Sequence, residues 1–169
     1  ILDLTMHPLP LLSGVSRAGE CIKEWMLPNF LDSKIEIFDV AEGLDCLPSV
    51  ENFDALIVSG SERSVYDDTA WLPDLSHLLN KSREMRKPIF GICFGHQILA
   101  HTFGADVVKN QRGREIGSCI INLNKEGKGS ILFRGLKETF YAYETHEDIV
   151  VNNEAKLIEL ARNDYGLQA

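Results

Sequence analysis

The sequence predicts an α/β fold built on a mostly parallel sheet, and three observations carry that expectation. Short apolar runs alternate with amphipathic stretches of helical period, the pattern of strands joined by crossover helices. One run, Ala55-Leu56-Ile57-Val58, is continuously apolar, as a strand buried on both faces must be. From Asp106 onward the character changes to short β-like runs separated by Gly, Asn and Lys turns, which predicts an antiparallel extension at one edge of the sheet.

Residues 1–5 read as a first strand, followed by a loop punctuated by Pro8 and Pro10. Residues 13–27 place Val15, Ile22, Trp25 and Met26 near helical spacing, and Pro28 ends that run because it has no amide for the next turn. Residues 34–40 alternate loosely through Ile35, Ile37 and Val40, and residues 53–59 form the more central strand. Between 71 and 86 a stripe of Leu72, Leu75, Leu78, Leu79 and Met85 marks a helix, closed by Pro88 ahead of a buried strand at 89–93. A helix over 95–103 stops at Gly104, completing β-α-β-β-α-β-α. Beyond it, short strands are expected at 107–108, 119–123, 131–133, 140–143, 149–151 and 157–161, with 124–129 as a hairpin connection.

The 169 residues are 44% hydrophobic and 25% charged, enough for a single domain over 1–169. A net charge of -8 without a basic run repels phosphate backbones, so no nucleic-acid partner is expected. No apolar stretch reaches the roughly 18 to 20 residues that span a bilayer, so no membrane partner is expected either. Cys21, Cys46, Cys93 and Cys119 form no C-x-x-C pair and have no His at zinc-ligand spacing; a reducing cytoplasm without a metal site fits them best. The first residues, without Met or a basic segment, read as a strand entered partway through a longer chain.

The strongest local signal is Gly91-Ile92-Cys93-Phe94-Gly95, set where a strand meets a helix. It is the cysteine form of the G-x-S-x-G nucleophile elbow, whose glycines admit a tight turn and a close strand-helix approach. Cys93 then stands at the carboxyl edge of the sheet and at a helix N-terminus, whose partial positive charge favours thiolate. The bland alternative, a small buried hydrophobe, holds for Cys21, Cys46 and Cys119, which lack that setting.

Acyl transfer also needs donors to the developing oxyanion. The Phe94 amide supplies one, and Gly60 in Ser59-Gly60-Ser61 supplies a second if a parallel neighbour delivers that loop to the same edge; a plain strand-ending turn is the alternative for Gly60. Five histidines compete for general base. His7 lies in the first loop and His77 in an exposed helical register, while His96 and His101 follow the elbow on a helix that turns them aside. His146, in the loop Glu144-Thr145-His146-Glu147-Asp148, is the best base on residue chemistry, with a solvated turn as its alternative.

These residues resemble the class I glutamine amidotransferases, which release ammonia from a glutamine side chain. Phe90-Gly91-Ile92-Cys93-Phe94-Gly95-His96-Gln97 matches that family's nucleophile motif. Ser59-Gly60-Ser61 with Ser64-Val65-Tyr66-Asp67-Asp68 and Trp71 is similar to the loop of stand-alone members, those like the GMP synthase amidotransferase domain and the γ-glutamyl peptidases. Many relatives carry a second glycine where this chain has Ser61. Arg114-Glu115-Ile116-Gly117 and Thr145-His146-Glu147-Asp148-Ile149-Val150 resemble two segments of the second half.

The resemblance implies a flavodoxin-like three-layer sandwich, Cys93 as nucleophile, Gly60 and Phe94 as the oxyanion hole, and Gln97, Thr145 and His146 as substrate-binding residues, with no cofactor and no metal. It gives the base to an H-P-E histidine, leaving His146 as a pocket residue with substitute base as the lesser alternative. No His-Pro-Glu occurs here, and residues 160–169 look like the stretch shortly before that motif, so the domain is expected to lack its C-terminal end. The implied activity is hydrolysis of glutamine or a γ-glutamyl compound, with a separate synthase subunit as a candidate ammonia acceptor. The alternatives are a catalytically silent binding or regulatory module, and the cysteine hydrolase and chaperone branch, where a histidine commonly follows the nucleophile; Phe94 occupies that place.

Overall fold

The computed structural model describes residues 1–6, 17–41, 43, 45–151 and 157–169. His7, the Pro8 and Pro10 loop and the expected helical start at Ser13 and Val15 lie outside the described residues. The chain divides into two compact units, Ile1–Leu99 and Ala100–Ala169.

The first unit contains β1 (Leu2–Asp3), α1 (Ala18–Met26), β2 (Phe38–Asp39), β3 (Leu56–Val58), α2 (Leu72–Glu84), β4 (Ile89–Gly91) and the start of α3 (Phe94–Thr102). The strands pair in the order β2-β1-β3-β4, all parallel. This is the flavodoxin-like order, and its direction reverses between the first crossover and the second. With right-handed crossovers, that reversal puts α1 and α2 on opposite faces and opens a crevice at the carboxyl ends of the strands. Leu2, Leu4, Leu56 and Val58 are buried, as strands covered on both sides require.

Local chemistry ties β1 to α1. Gly19, in the first turn of α1, donates its amide to the Asp3 carboxylate at 2.8 Å, and the other oxygen of Asp3 accepts the Thr5 amide at 3.1 Å and the Thr5 hydroxyl at 2.6 Å. Gly19 has no room for a side chain: a Cβ there would lie 2.8 Å from Ile37 Cγ2 and 2.9 Å from Asp3 Oδ2. The α-helix closes ahead of Pro28, as that residue's missing amide requires. It ends at Met26 and tightens into a 3-10 turn over Leu27–Asn29, where a proline fits without losing a bond.

In α2, Leu72, Leu75, Leu78 and Leu79 are buried as the stripe predicts, but Met85 is exposed, because the helix has ended at Glu84 and Arg86 turns left-handed at φ 54°. Between β1 and β4, β3 takes the central place its apolar run predicts. Strand β4, expected to be buried, is the outer strand of this sheet, and Phe90 stands exposed on it.

The second unit is an antiparallel sheet of β5 (Asp106–Lys109), β6 (Glu115–Leu123), β7 (Thr139–His146), β8 (Asp148–Val151), β9 (Ala161–Asn163) and β10 (Gly166–Leu167), in the order β5-β8-β10-β9-β6-β7. The antiparallel extension thus pairs as a sheet of its own. Glu115↔His146 through Asn122↔Thr139 run in unbroken register, and burial alternates residue by residue along both strands. Ile121, Leu123 and Ala161 form the inner core with Phe133, Phe140, Ala142 and Ala169 against them. The opposite face exposes Ile116, Ile120, Tyr141 and Tyr143, the last 90% exposed.

Three local expectations change here. Residues 124–129 hold a short helix, α4 (Lys125–Gly129), started by Asn124, whose side chain accepts the Gly127 amide at 2.8 Å. The apolar triplet Ile131–Phe133 is a 3-10 turn, with Ser130 Oγ accepting the Leu132 amide at 3.2 Å. The strand expected at 157–161 begins only at Ala161, where the chain meets Leu123. No helix among the described residues is long and apolar enough to cross a membrane.

Candidate active site

Only Ile92 and Cys93 separate the end of β4 from the start of α3. Cys93 makes the bend by adopting φ 54°; it and Arg86 are the non-glycine residues with positive φ among those described. The thiol-bearing residue is exposed. Backbone bonds fasten the bend to β3: the Ile92 amide donates to the Val58 carbonyl at 3.0 Å, and the Gly95 amide donates to Ser59 at 3.1 Å and back to Ile92 at 2.9 Å. The Gln97 amide closes the first helical turn onto the Cys93 carbonyl at 3.1 Å.

Both flanking glycines are dictated by clearance. A Cβ on Gly91 would lie 2.6 Å from the His96 nitrogen, and one on Gly95 would lie 2.8 Å from the Val58 carbonyl carbon and nearer still to its oxygen. Neither glycine has positive φ, so room, not backbone freedom, is the reason for the residue type.

Holding a side-chain-bearing residue in the left-handed region costs roughly 1 to 2 kcal/mol. Cys93→Gly is therefore expected to be more stable than Cys93→Ala by about 1 kcal/mol, after allowing for the greater chain entropy of glycine. Urea midpoints of the two variants check this; a glycine variant no more stable than the alanine one would show the bend to be unstrained.

Gly60 lies beside the cysteine, since a Cβ built on it would be 3.6 Å from Cys93 Cβ, at ordinary van der Waals contact. Parallel pairing of β3 with β4 brings the loop there, through Leu56↔Ile89, Ile57↔Phe90 and Val58↔Gly91. Ser59 is fully buried, its hydroxyl accepting the Leu4 amide and donating to the Gly60 carbonyl, both at 2.8 Å. The Phe94 side chain is buried edge-on against Trp71, ring centroids 5.8 Å apart at 72°. Gln97, 6% exposed, follows one turn along α3. The first unit thus gathers Cys93, Gly60, Phe94 and Gln97 into one stretch of structure. His77 is exposed on α2, His101 is exposed on α3 and His96 is half-buried.

Thr145 and His146 belong to the second unit, and the expected loop around them is strand: His146 is the last residue of β7. Strand alternation sends their side chains to opposite faces, Thr145 outward with Tyr143 and His146 inward. His146 Nε2 lies 3.3 Å from Glu115 Oε2 and 3.5 Å from Glu144 Oε2, with side-chain exposures of 11% for the histidine and 1% for Glu115. Its Nδ1 faces the Asp148 carbonyl oxygen at 3.1 Å. Hydrogen bonding to Glu144 raises the imidazole above the usual histidine range against the opposing effect of burial, and the Glu115 charge adds to the rise.

Glu115 stands in the family-like segment Arg114-Glu115-Ile116-Gly117 with no site role expected of it, and it lies at the centre of this cluster. One oxygen accepts the Asn163 amide group and the other accepts Gln168 Nε2 at 3.0 Å; Gln168 in turn reaches Asn163 Oδ1 at 2.9 Å. Asn163 Oδ1 also accepts the Tyr165 amide at 2.8 Å. Hydrogen bonding to Glu115 pushes the Cys119 thiol upward as well. The signal that finds Glu115 is parity, because 115, 119, 121 and 123 all fall on the inward side of one strand.

The model of the family described as "Glutamine amidotransferase class-I" matches residues 28–168. γ-Glutamyl peptidase 5 of Arabidopsis thaliana is 28% identical over 152 residues, 89% of this chain and 57% of that protein. A glutamine-hydrolyzing GMP synthase of Geobacillus kaustophilus is 35% identical over 99 residues, 59% of this chain and 18% of that protein. Among solved structures, a glutamine amido transferase from Methylobacillus flagellatus superposes with a TM-score of 0.75 at 19% identity, covering 86% of this chain and 57% of that one. The chain therefore spans little more than half the length of these relatives at most. With the family model extending over most of its residues, the chain belongs to the class I glutamine amidotransferase family.

Proposed function

We propose that this protein is a cysteine hydrolase that cleaves the γ-amide of glutamine or of a γ-glutamyl compound through a thioester on Cys93. The observation that carries this reading is the exposed Cys93, held left-handed between β4 and α3 with Gly60 against it. The Cys93 thiolate attacks the γ-carbonyl carbon, and the amides of Phe94 and Gly60 hold the oxyanion. Collapse of the tetrahedral species forms the C–S bond of the thioester and breaks the C–N bond, and ammonia or an amine leaves with an added proton. Water then displaces the thiolate and frees glutamate. Gln97, one turn along α3 from Cys93, holds the amino-acid end of the substrate.

In the family pattern an H-P-E histidine carries the proton to the leaving amine, and this sequence contains no such motif. The relatives named as γ-glutamyl peptidases support an amine product, and the GMP synthase relative supports ammonia delivered to a separate synthase.

The test reads the attack step alone, which needs the thiol and its oxyanion donors. A glutamine-mimicking electrophile is expected to add once to the wild-type chain, at Cys93, in a reaction that saturates with electrophile and is slowed by glutamine. Cys93→Ala should keep the fold and lose the adduct in intact-mass spectra. An adduct that persists in Cys93→Ala, or one that glutamine does not protect, would defeat the reading and favour a silent module.

A further inference from the structure

The second unit buries a histidine between two carboxylates, and the geometry of both ring nitrogens restricts what that histidine can do. A backbone carbonyl oxygen only accepts hydrogen bonds, so Nδ1 of His146, at 3.1 Å from the Asp148 carbonyl, carries a proton. Nε2 faces Glu115 and Glu144 at 3.3 Å and 3.5 Å, and ionised carboxylates likewise only accept. A ring with acceptors on both sides is satisfied only as the imidazolium.

We propose that His146 is an imidazolium fixed in place by Glu115, which makes Glu115 a positioning residue for the Thr145–His146 end of β7 and excludes His146 as a general base. An imidazolium has no lone pair with which to take a proton from water or from a thiol, so the substitute-base role is closed to this residue.

Glu115 is suited to the task where Glu144 is less so. It faces His146 directly across the β6–β7 ladder, and its two oxygens are gripped by Asn163 and Gln168 from the β9–β10 side, so the carboxylate cannot swing away from the ring. Glu144 shares the ring's own strand and is more exposed. Glu115 from β6, Glu144 from β7 and the Asp148 carbonyl from β8 meet the ring, and Cys119, Asn163 and Gln168 meet Glu115 in turn. Lys109 pairs with Glu147 and Arg162 with Glu159. The balance around the ring is negative, which agrees with the upward displacement of its titration.

Ring-nitrogen NMR on histidine-labelled chain tests the proposal without relying on turnover. Wild-type His146 is expected to show two protonated ring nitrogens at neutral pH. Glu115→Gln should lower its proton affinity on the order of tenfold or more, and Glu144→Gln should lower it as well. A bare ring nitrogen in the wild type overturns the proposal, and this result needs no variant to fold. A His146 titration unmoved by Glu115→Gln overturns it too. Failure of Cys93 to label at all, with the NMR result intact, would count against the proposed function instead.

Discussion

Gly95→Ala is expected to destabilise the protein on the order of 3 kcal/mol and to abolish Cys93 labelling. The added methyl would fall on the Val58 carbonyl, 2.8 Å from its carbon. Both partners are backbone, one in the first turn of α3 and the other at the end of β3, so no rotamer change relieves the overlap. The helix must lift off the strand, and the Gly95 amide then loses its bonds to Ser59 and Ile92. Because Cys93 lies two residues earlier in the same turn, it moves with the helix and leaves Gly60. Urea denaturation and intact-mass labelling check both parts, and a Gly95→Ala chain with the wild-type midpoint and adduct would show that this packing is looser than described.

Asp3→Ala should destabilise by about 3 kcal/mol, with Asp3→Asn milder. The carboxylate is fully buried and accepts three bonds, from the Gly19 amide and from the amide and hydroxyl of Thr5. Alanine would leave these donors buried without an acceptor, at about 1 to 3 kcal/mol for each group that water cannot reach. Asparagine keeps one acceptor oxygen and sets a donor against donors on the other side. Thermal or urea unfolding of the two variants gives the order; an Asp3→Ala midpoint equal to wild type would mean that water or a neighbour replaces the carboxylate.

The parts of the fold that read well from the sequence are those where one physical demand fixes the residue type. Leu72, Leu75, Leu78 and Leu79 mark the buried side of α2 because a helix there has one covered face, and the run 55–58 is apolar throughout because β3 is covered on both. Gly91 and Gly95 stand out because nothing larger fits. The second half read less well. Its inward positions include Glu115, Glu144 and His146, so the apolar-polar alternation that announces a strand is cancelled by a buried polar cluster, and Gly117, at φ 105°, breaks the run further. Glu144-Thr145-His146-Glu147-Asp148 consequently looks like a charged loop although its first three residues complete β7. Ile131–Phe133 misleads in the other direction, since three apolar residues do not distinguish a strand from a 3-10 turn.

The unbroken pairing of β6 with β7 fixes the length of both. One residue inserted between Thr139 and His146 would rotate everything beyond it by half a period, turning the imidazole to solvent and drawing Thr145 against Glu115. Between these two strands, variation in chain length falls in the connection at 124–138, where a short helix and a 3-10 turn can absorb extra residues without shifting the ladder. Insertion libraries aimed at the β6–β7 pair belong in that connection.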